Sequence, residues 1–369
     1  MRIIFFKIRF AINFLINFFN FKVLKVKKYK NFKYKEEKIL ENKARVKYLI
    51  PKFFNKRPKK ITNKINYYFP KISFLTFKKV KVYGYSSFIV KDNFLLHHDL
   101  INTNTNYCLE EFQGKCWFIK NNKVLWNQRK SDYKINEAIS FLDSASFNYA
   151  HWISEILPKI YLYRKYYKTK KILLLIDKNL NKNILQSLRI VIKDTSAVIK
   201  QVNKGECILV NKLHTITPVG FSNISPKNIL KKHSHGFFNQ KIINEMSNFI
   251  SNKIRAKEDN RYKKIFLSRD DSKRNVQNVN KFNIIIKNLG YKKILFKDLD
   301  FEDQVKIFKN AKDIIAVSGA SVANMIFSPK KTRLVLIANF REYGPGLFYF
   351  PAMLGGKKID LHYILSKKK

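Results

Sequence analysis

The most constraining feature of this sequence is a rhythm that begins at Lys264 and runs nearly to the C-terminus. The apolar run KIFLS is followed by the loop RDDSKRNVQN and by VNKFNIIIKNLG, whose apolar residues recur at helical spacing until Gly290 ends them. The run KKILF, the helical FEDQVKIFKNA, the run DIIAVS, the turn and short helix GASVANMIF, and the run RLVLIA follow in order. Strands alternating with helices predict a parallel sheet covered on both faces. Such sheets bind ligands at the carboxyl ends of their strands, so chemistry is expected at 268–275 and 318–321.

Upstream the pattern is less regular but of the same kind. A helix is expected at about 149–166, then the strand KILLLI, the helical NKNILQSLRIVI, and strand-like AVIKQV, CILV and LHTIT. A further helix falls near 239–254, after Pro226. Between 72 and about 130, short Val, Ile, Phe and Tyr runs read as hairpins, with Asn121-Asn122 a tight-turn signal. Residues 22–70 are lysine-rich, carry Pro51, Pro58 and Pro70, and read as a poorly defined lead-in. Three sections result: a basic lead-in over 1–70, a first domain over 71–255 and a nucleotide-binding domain over 256–369.

The formal net charge of +48 asks for an anionic partner. Nucleic acid is not the main candidate, because lysine far outnumbers arginine and the basic residues are spread along the whole chain. So basic a surface also attracts anionic lipid and anionic small substrates. Cys108, Cys116 and Cys207 form no CxxC pair and no metal-finger spacing, which favours a reducing compartment without a disulfide framework. At the N-terminus, the charge-free run from Phe10 to Phe21 is too short to span a bilayer. On a helical wheel Arg2, Arg9, Asn13, Asn17 and Asn20 cluster on one side, with Phe and Ile over most of the rest. That pattern fits a helix lying in a membrane interface, or one docked on the protein's own core.

Three constellations carry candidate chemistry. His151 and Glu155 stand four apart in FNYAHWISEILPKIY, so they share a helix face. They read as metal ligands, as a surface ion pair, or as an acid–base pair facing a cleft; a third metal ligand and an H-E-x-x-H pattern are absent. Pro158 predicts a kink, because it cannot donate to residue 154. In the second, FLSRDDSKRN, Ser268, Arg269 and Arg274 lie at the end of a strand, suited to a diphosphate or simply solvated. In the third, Gly319 and Ala320 open a helix whose backbone N–H groups attract phosphate, as many such turns do without binding anything. Between the last two, Asp298 or Asp300 can cap a helix whose buried face is Phe301, Val305 and Phe308. Glu302 and Gln304 sit near its start, where a ribose hydroxyl could be gripped.

Taken in order, NYAHWISEILPKIYL, FLSRDDSKRNVQN and FEDQVKIFKNAKDIIAVSGASVANMIFSP resemble the family-61 glycosyltransferases of bacterial surface-polysaccharide type. That family shows an HW-x-x-E-x-LP helix, then an SR…R loop, an EQ-type helix and a GA…N turn, and the resemblance covers roughly 140–340. Ser318 stands where many members have histidine, and Asp303 where many have Glu. The resemblance implies an α/β, GT-B-like fold: two Rossmann-like domains across a cleft, the C-terminal one holding a nucleotide sugar, probably UDP-linked. It implies inversion without a metal, and the sequence has no Asp-x-Asp at a place suited to one. No cofactor is expected. Glu155 would be the base and His151 a positioning group or alternative base, with Arg269, Arg274 and the turn after Gly319 on the diphosphate and Asn324 lining the same pocket. The acceptor would be a polysaccharide or lipid-linked glycan, and the enzyme would sit on the cytoplasmic face of an anionic membrane. A basic nucleic-acid-binding protein, or a non-catalytic member of the same fold, is the alternative.

Overall fold

The alternation that begins at Lys264 folds as a parallel sheet. The structure, a computed structural model, describes residues 2–33, 35–55, 66–102, 106–119, 121–222, 225–226, 236–269, 276, 278–339 and 346–366. Among these, the strands Lys292–Leu295, Lys264–Ser268, Asp313–Val317 and Arg333–Asn339 pair in that order, all parallel. Asp360–Ser366 and then Lys52–Phe53 extend the sheet, also in parallel. The helices Val279–Asn288 and Phe301–Asn310 make two of the crossovers. Asp300 caps the second, accepting from the N–H of Asp303 at 2.8 Å, and Phe301, Val305 and Phe308 are fully buried on its inner face.

The other large sheet is mixed rather than wholly parallel. Its parallel part comprises Cys207–Ile216, Tyr133–Ser140, Ile172–Asp177 and Ala197–Val202, in that spatial order. Cys207–Ile216 joins the runs CILV and LHTIT into one strand. It pairs antiparallel with Ile72–Tyr83, from which hairpins lead on to the ribbon Cys116–Ile119 and Lys123–Asn127. That ribbon turns at Asn121 and Asn122, both with positive φ as a tight hairpin turn requires. The sheet curls: Tyr85, just past Ile72–Tyr83, donates its N–H to Asp177 three strands away.

The lysine-rich lead-in is not a separate section. Phe21–Lys28 inserts between Lys123–Asn127 and Phe94–His97, and Lys35–Glu41 pairs antiparallel with Ile72–Tyr83. Its strands are hard to see in sequence because lysines occupy the solvent-facing positions, while Leu24 alone is buried in Phe21–Lys28. Both sheets share one continuous apolar core. Phe74, Ile139 and Leu174 from the first, Trp152, Leu188 and Ile250 from helices between, and Ile314, Leu334 and Tyr363 from the second all belong to it. Cys108, Cys116 and Cys207 are buried free thiols. No helix among the described residues is long and apolar enough to cross a membrane.

Candidate active site

The histidine–glutamate helix starts at Tyr149, where the Asn148 side chain accepts from the N–H of Ala150. It then widens. Trp152–Ile156 is a single π-helical turn, closed by the N–H of Leu157 donating to the carbonyl of Trp152, before α-helix resumes through Tyr167. Pro158 explains the widening: in an α-helix its ring would collide with the carbonyl of Ser154. A π-turn relieves that clash without a sharp kink, and such turns recur at functional sites. The Ser154 carbonyl lies against Gly220, where a Cβ would come within 2.5 Å of it. Trp152 is fully buried and donates to Ser187 Oγ at 2.9 Å, which anchors the turn to the helix Lys182–Ile192.

The widened turn holds His151 Nδ1 2.8 Å from Glu155 Oε1, with 12 % and 10 % of the two side chains exposed. They are therefore not a solvated surface pair. Ser222 Oγ is 3.4 Å from the same nitrogen, the Tyr349 ring stands edge-on to the imidazole, and Tyr349 shares a hydrogen bond with Ser154. Burial alone would lower the His151 pKa, but the charge and hydrogen bond of Glu155, with Asp143 behind, carry it above its usual value.

Further ionisable groups gather behind the pair. Two adjoining cavities of about 30 Å³ each meet at Glu155, Asp143 and His98, each roomy enough for a water molecule. The first also takes in Lys159, the second His151 and Ser222. Lys159 is only 8 % exposed. Its burial pulls the ammonium pKa down, while Asp143, Glu155 and Asp177 pull it up, and the net direction is down. Asp177 is pushed up to about 6 by burial, against hydrogen bonds from the Asp143 N–H and the Tyr85 N–H. Lys159, Asp143 and Asp177 went unnoticed in the sequence, though signals existed. Lys159 is one more step of four along the His151–Glu155 face. The two aspartates lie at the carboxyl ends of parallel strands, one of which, Tyr133–Ser140, is disguised by Lys134, Asn136 and Glu137.

On the other sheet, two neighbouring strand ends are linked. Arg269 Nη1, just past Lys264–Ser268, donates to the carbonyl of Ser318 at 3.0 Å, so the Arg269 side chain covers the turn at Gly319. Gly319 has extended backbone and needs glycine for space alone, because a Cβ would lie 1.9 Å from Arg269 Nη1. Ser268 is buried at the strand end, and Ala320 is half-buried at the start of the helical turn Ala320–Phe327. Arg274 lies outside the described residues. Glu302 is half-buried in the first turn of its helix, and Asp303 pairs with Lys306 at 3.2 Å.

Gln304 and Asn324 are placed as framework rather than as an open surface. Both are buried, and Asn324 Nδ2 donates to Gln304 Oε1 at 3.0 Å. The Tyr149 hydroxyl donates to Asn324 Oδ1 at 2.6 Å. One chain of hydrogen bonds therefore links the first turn of the histidine–glutamate helix to the Gly319 turn and to the helix Phe301–Asn310. It brings the first and third motifs together, while Arg269 brings in the second.

The α/β fold thus ties a buried histidine–glutamate pair, on a helix packed against one sheet, to an arginine-covered strand-end turn of the other. The sequence model of glycosyltransferase family 61 matches residues 149–335, half of the chain, and the chain belongs to that family. It is a glycosyltransferase. No curated protein matches the chain at a significant level.

Proposed function

We infer that the enzyme moves a sugar from a UDP-linked donor to a hydroxyl of a polysaccharide or lipid-linked glycan, with inversion at the anomeric carbon. The acceptor oxygen attacks that carbon as Glu155 takes its proton. The bond from the carbon to the diphosphate breaks, and its electron pair leaves on the nucleoside diphosphate. Arg269 and the backbone N–H groups opening Ala320–Phe327 meet the developing charge, so this reading needs no metal. The two sheets then act as the halves of a GT-B arrangement, acceptor on the first and donor on the second.

The observation that carries the reading is the Tyr149–Asn324 hydrogen bond, which couples the helix of the base to the turn of the diphosphate. A panel of nucleotides and nucleotide sugars in a thermal-shift assay tests it, since a ligand of the native state raises its stability. A rise in Tm with uridine nucleotides, lost in Arg269→Ala, is expected. No response to any nucleotide sugar removes the donor assignment.

A further inference from the structure

The N-terminal helix Arg2–Ile16 docks by one side only. Phe6 and Phe10 are buried, packing on Tyr107, Phe112 and Trp117, and Phe14 packs on Phe21. The asparagine stripe is turned to the protein too: Asn13 donates to the Gly114 carbonyl, and Asn17 accepts from Arg129. An ordinary surface helix would point those amides at water. What faces outward instead is Ile4, Phe5, Ile8, Ile12, Leu15 and Ile16, each more than half exposed. Their spacing of three and four makes one continuous apolar stripe. Phe18 and Phe19, the latter 94 % exposed, prolong it, and Val23 lies exposed on the next strand. Isolated exposed apolar residues are ordinary, but a contiguous band marks a contact surface.

Charge decides what the band contacts. Residues 1–35 contain ten Lys and Arg and no Asp or Glu. Lys7, Arg9, Lys22 and Lys25 are exposed around the band. Pairing with a second copy would set two such cationic segments against each other. Anionic lipid headgroups reverse the sign of that interaction and attract each nearby Lys and Arg. At roughly 22 Å, the helix is also too short to cross a hydrocarbon core of about 30 Å.

We propose that this helix seats the protein on an anionic bilayer, lying in the membrane plane with its isoleucine–phenylalanine stripe among the acyl chains and its lysines at the headgroups. The assignment does not rest on the catalytic reading. The full chain is expected to co-sediment with vesicles of phosphatidylcholine containing phosphatidylglycerol, and much less with phosphatidylcholine alone. Ile8→Ser/Ile12→Ser/Ile16→Ser should weaken that binding by about tenfold or more. Its Tm should change little, because all three side chains are more than half exposed and none belongs to the buried core. Lys22→Gln/Lys25→Gln should weaken binding to the anionic vesicles alone. A full chain that ignores anionic vesicles overturns the proposal, as does a triple variant that binds them like the parent. So does a parent dimer that the triple variant converts to a monomer without change in lipid binding.

Discussion

Glu155 supplies the charge and hydrogen bond that raise the His151 pKa, and this makes the residue-scale test specific. Glu155→Gln keeps the shape and loses the base, so turnover should fall by roughly 10²–10⁴. The same change removes the charge that lifts the His151 pKa, leaving burial to lower it. An imidazole titration followed by NMR should therefore move to lower pH in Glu155→Gln. The sign carries over to stability: a raised His pKa stabilises below the ordinary value of 6.5, and that contribution is lost as pH rises through the folded value. A purely structural pair predicts the NMR shift with turnover intact, and near-normal turnover would end the assignment of the base. The pair itself was legible in sequence from its spacing. Its burial was not, because Tyr349 and Ser222 arrive from segments far away in the chain.

At the scale of elements, the two loops and the π-turn each rest on one residue. Arg269→Ala should weaken uridine nucleotide binding by about 1.5–3 kcal/mol, the range for a hydrogen bond to a charged group. Gly319→Ala should act in the same direction without unfolding the protein, because the added Cβ meets the far end of the Arg269 side chain rather than backbone. Calorimetric titration of both variants with UDP checks this, and unchanged affinity in both would take the loop out of the site. Pro158→Ala returns an N–H to the helix and removes the ring that forces the wide turn. Turnover should drop while Tm holds or rises, as the helix recovers α-helical register at the cost of the His151–Glu155 geometry. Sequence reading found the strands KIFLS, DIIAVS and RLVLIA because strands buried on both faces read as unbroken apolar runs. It missed Tyr133–Ser140 and Phe21–Lys28 because one-sided strands in a lysine-rich chain put charge at the exposed positions. It expected a kink at Pro158 and not a π-turn, since the choice depends on what packs around Ser154.

Over the whole molecule, 74 basic residues face only 26 acidic ones, so individual carboxylates serve several lysines. Glu41 joins the strand Lys35–Glu41 to two helices through Lys165 and Lys241, at 2.8 and 2.9 Å. Glu137 takes Lys170, Lys212 and His214. Burial alone would raise the Glu41 pKa, but hydrogen bonds from Lys165, Lys241 and Tyr166 bring it down to about 2. Glu137 is brought down to about 2 chiefly by Lys170 and His214. Glu37, partly desolvated yet bonded to Ser73, Lys71 and Lys35, also lies at about 2. A carboxylate depressed in the folded state stabilises above its unfolded pKa, about 4.5, and that contribution is lost as pH falls toward 2. Protonating these groups also leaves the lysines around them to repel one another. Melting temperature should therefore be nearly flat with respect to these groups above pH about 5 and fall steeply between about 4.5 and 2. Glu41→Gln should lower Tm at pH 7, whereas Glu36→Gln, whose carboxylate is 65 % exposed and 3.6 Å from Lys78, should leave it within error. As pH falls to 2 the deficit of Glu41→Gln against the parent should shrink, since protonation is making the same change in the parent. A Glu41→Gln deficit undiminished at pH 2 would show that packing, and not charge, holds that junction.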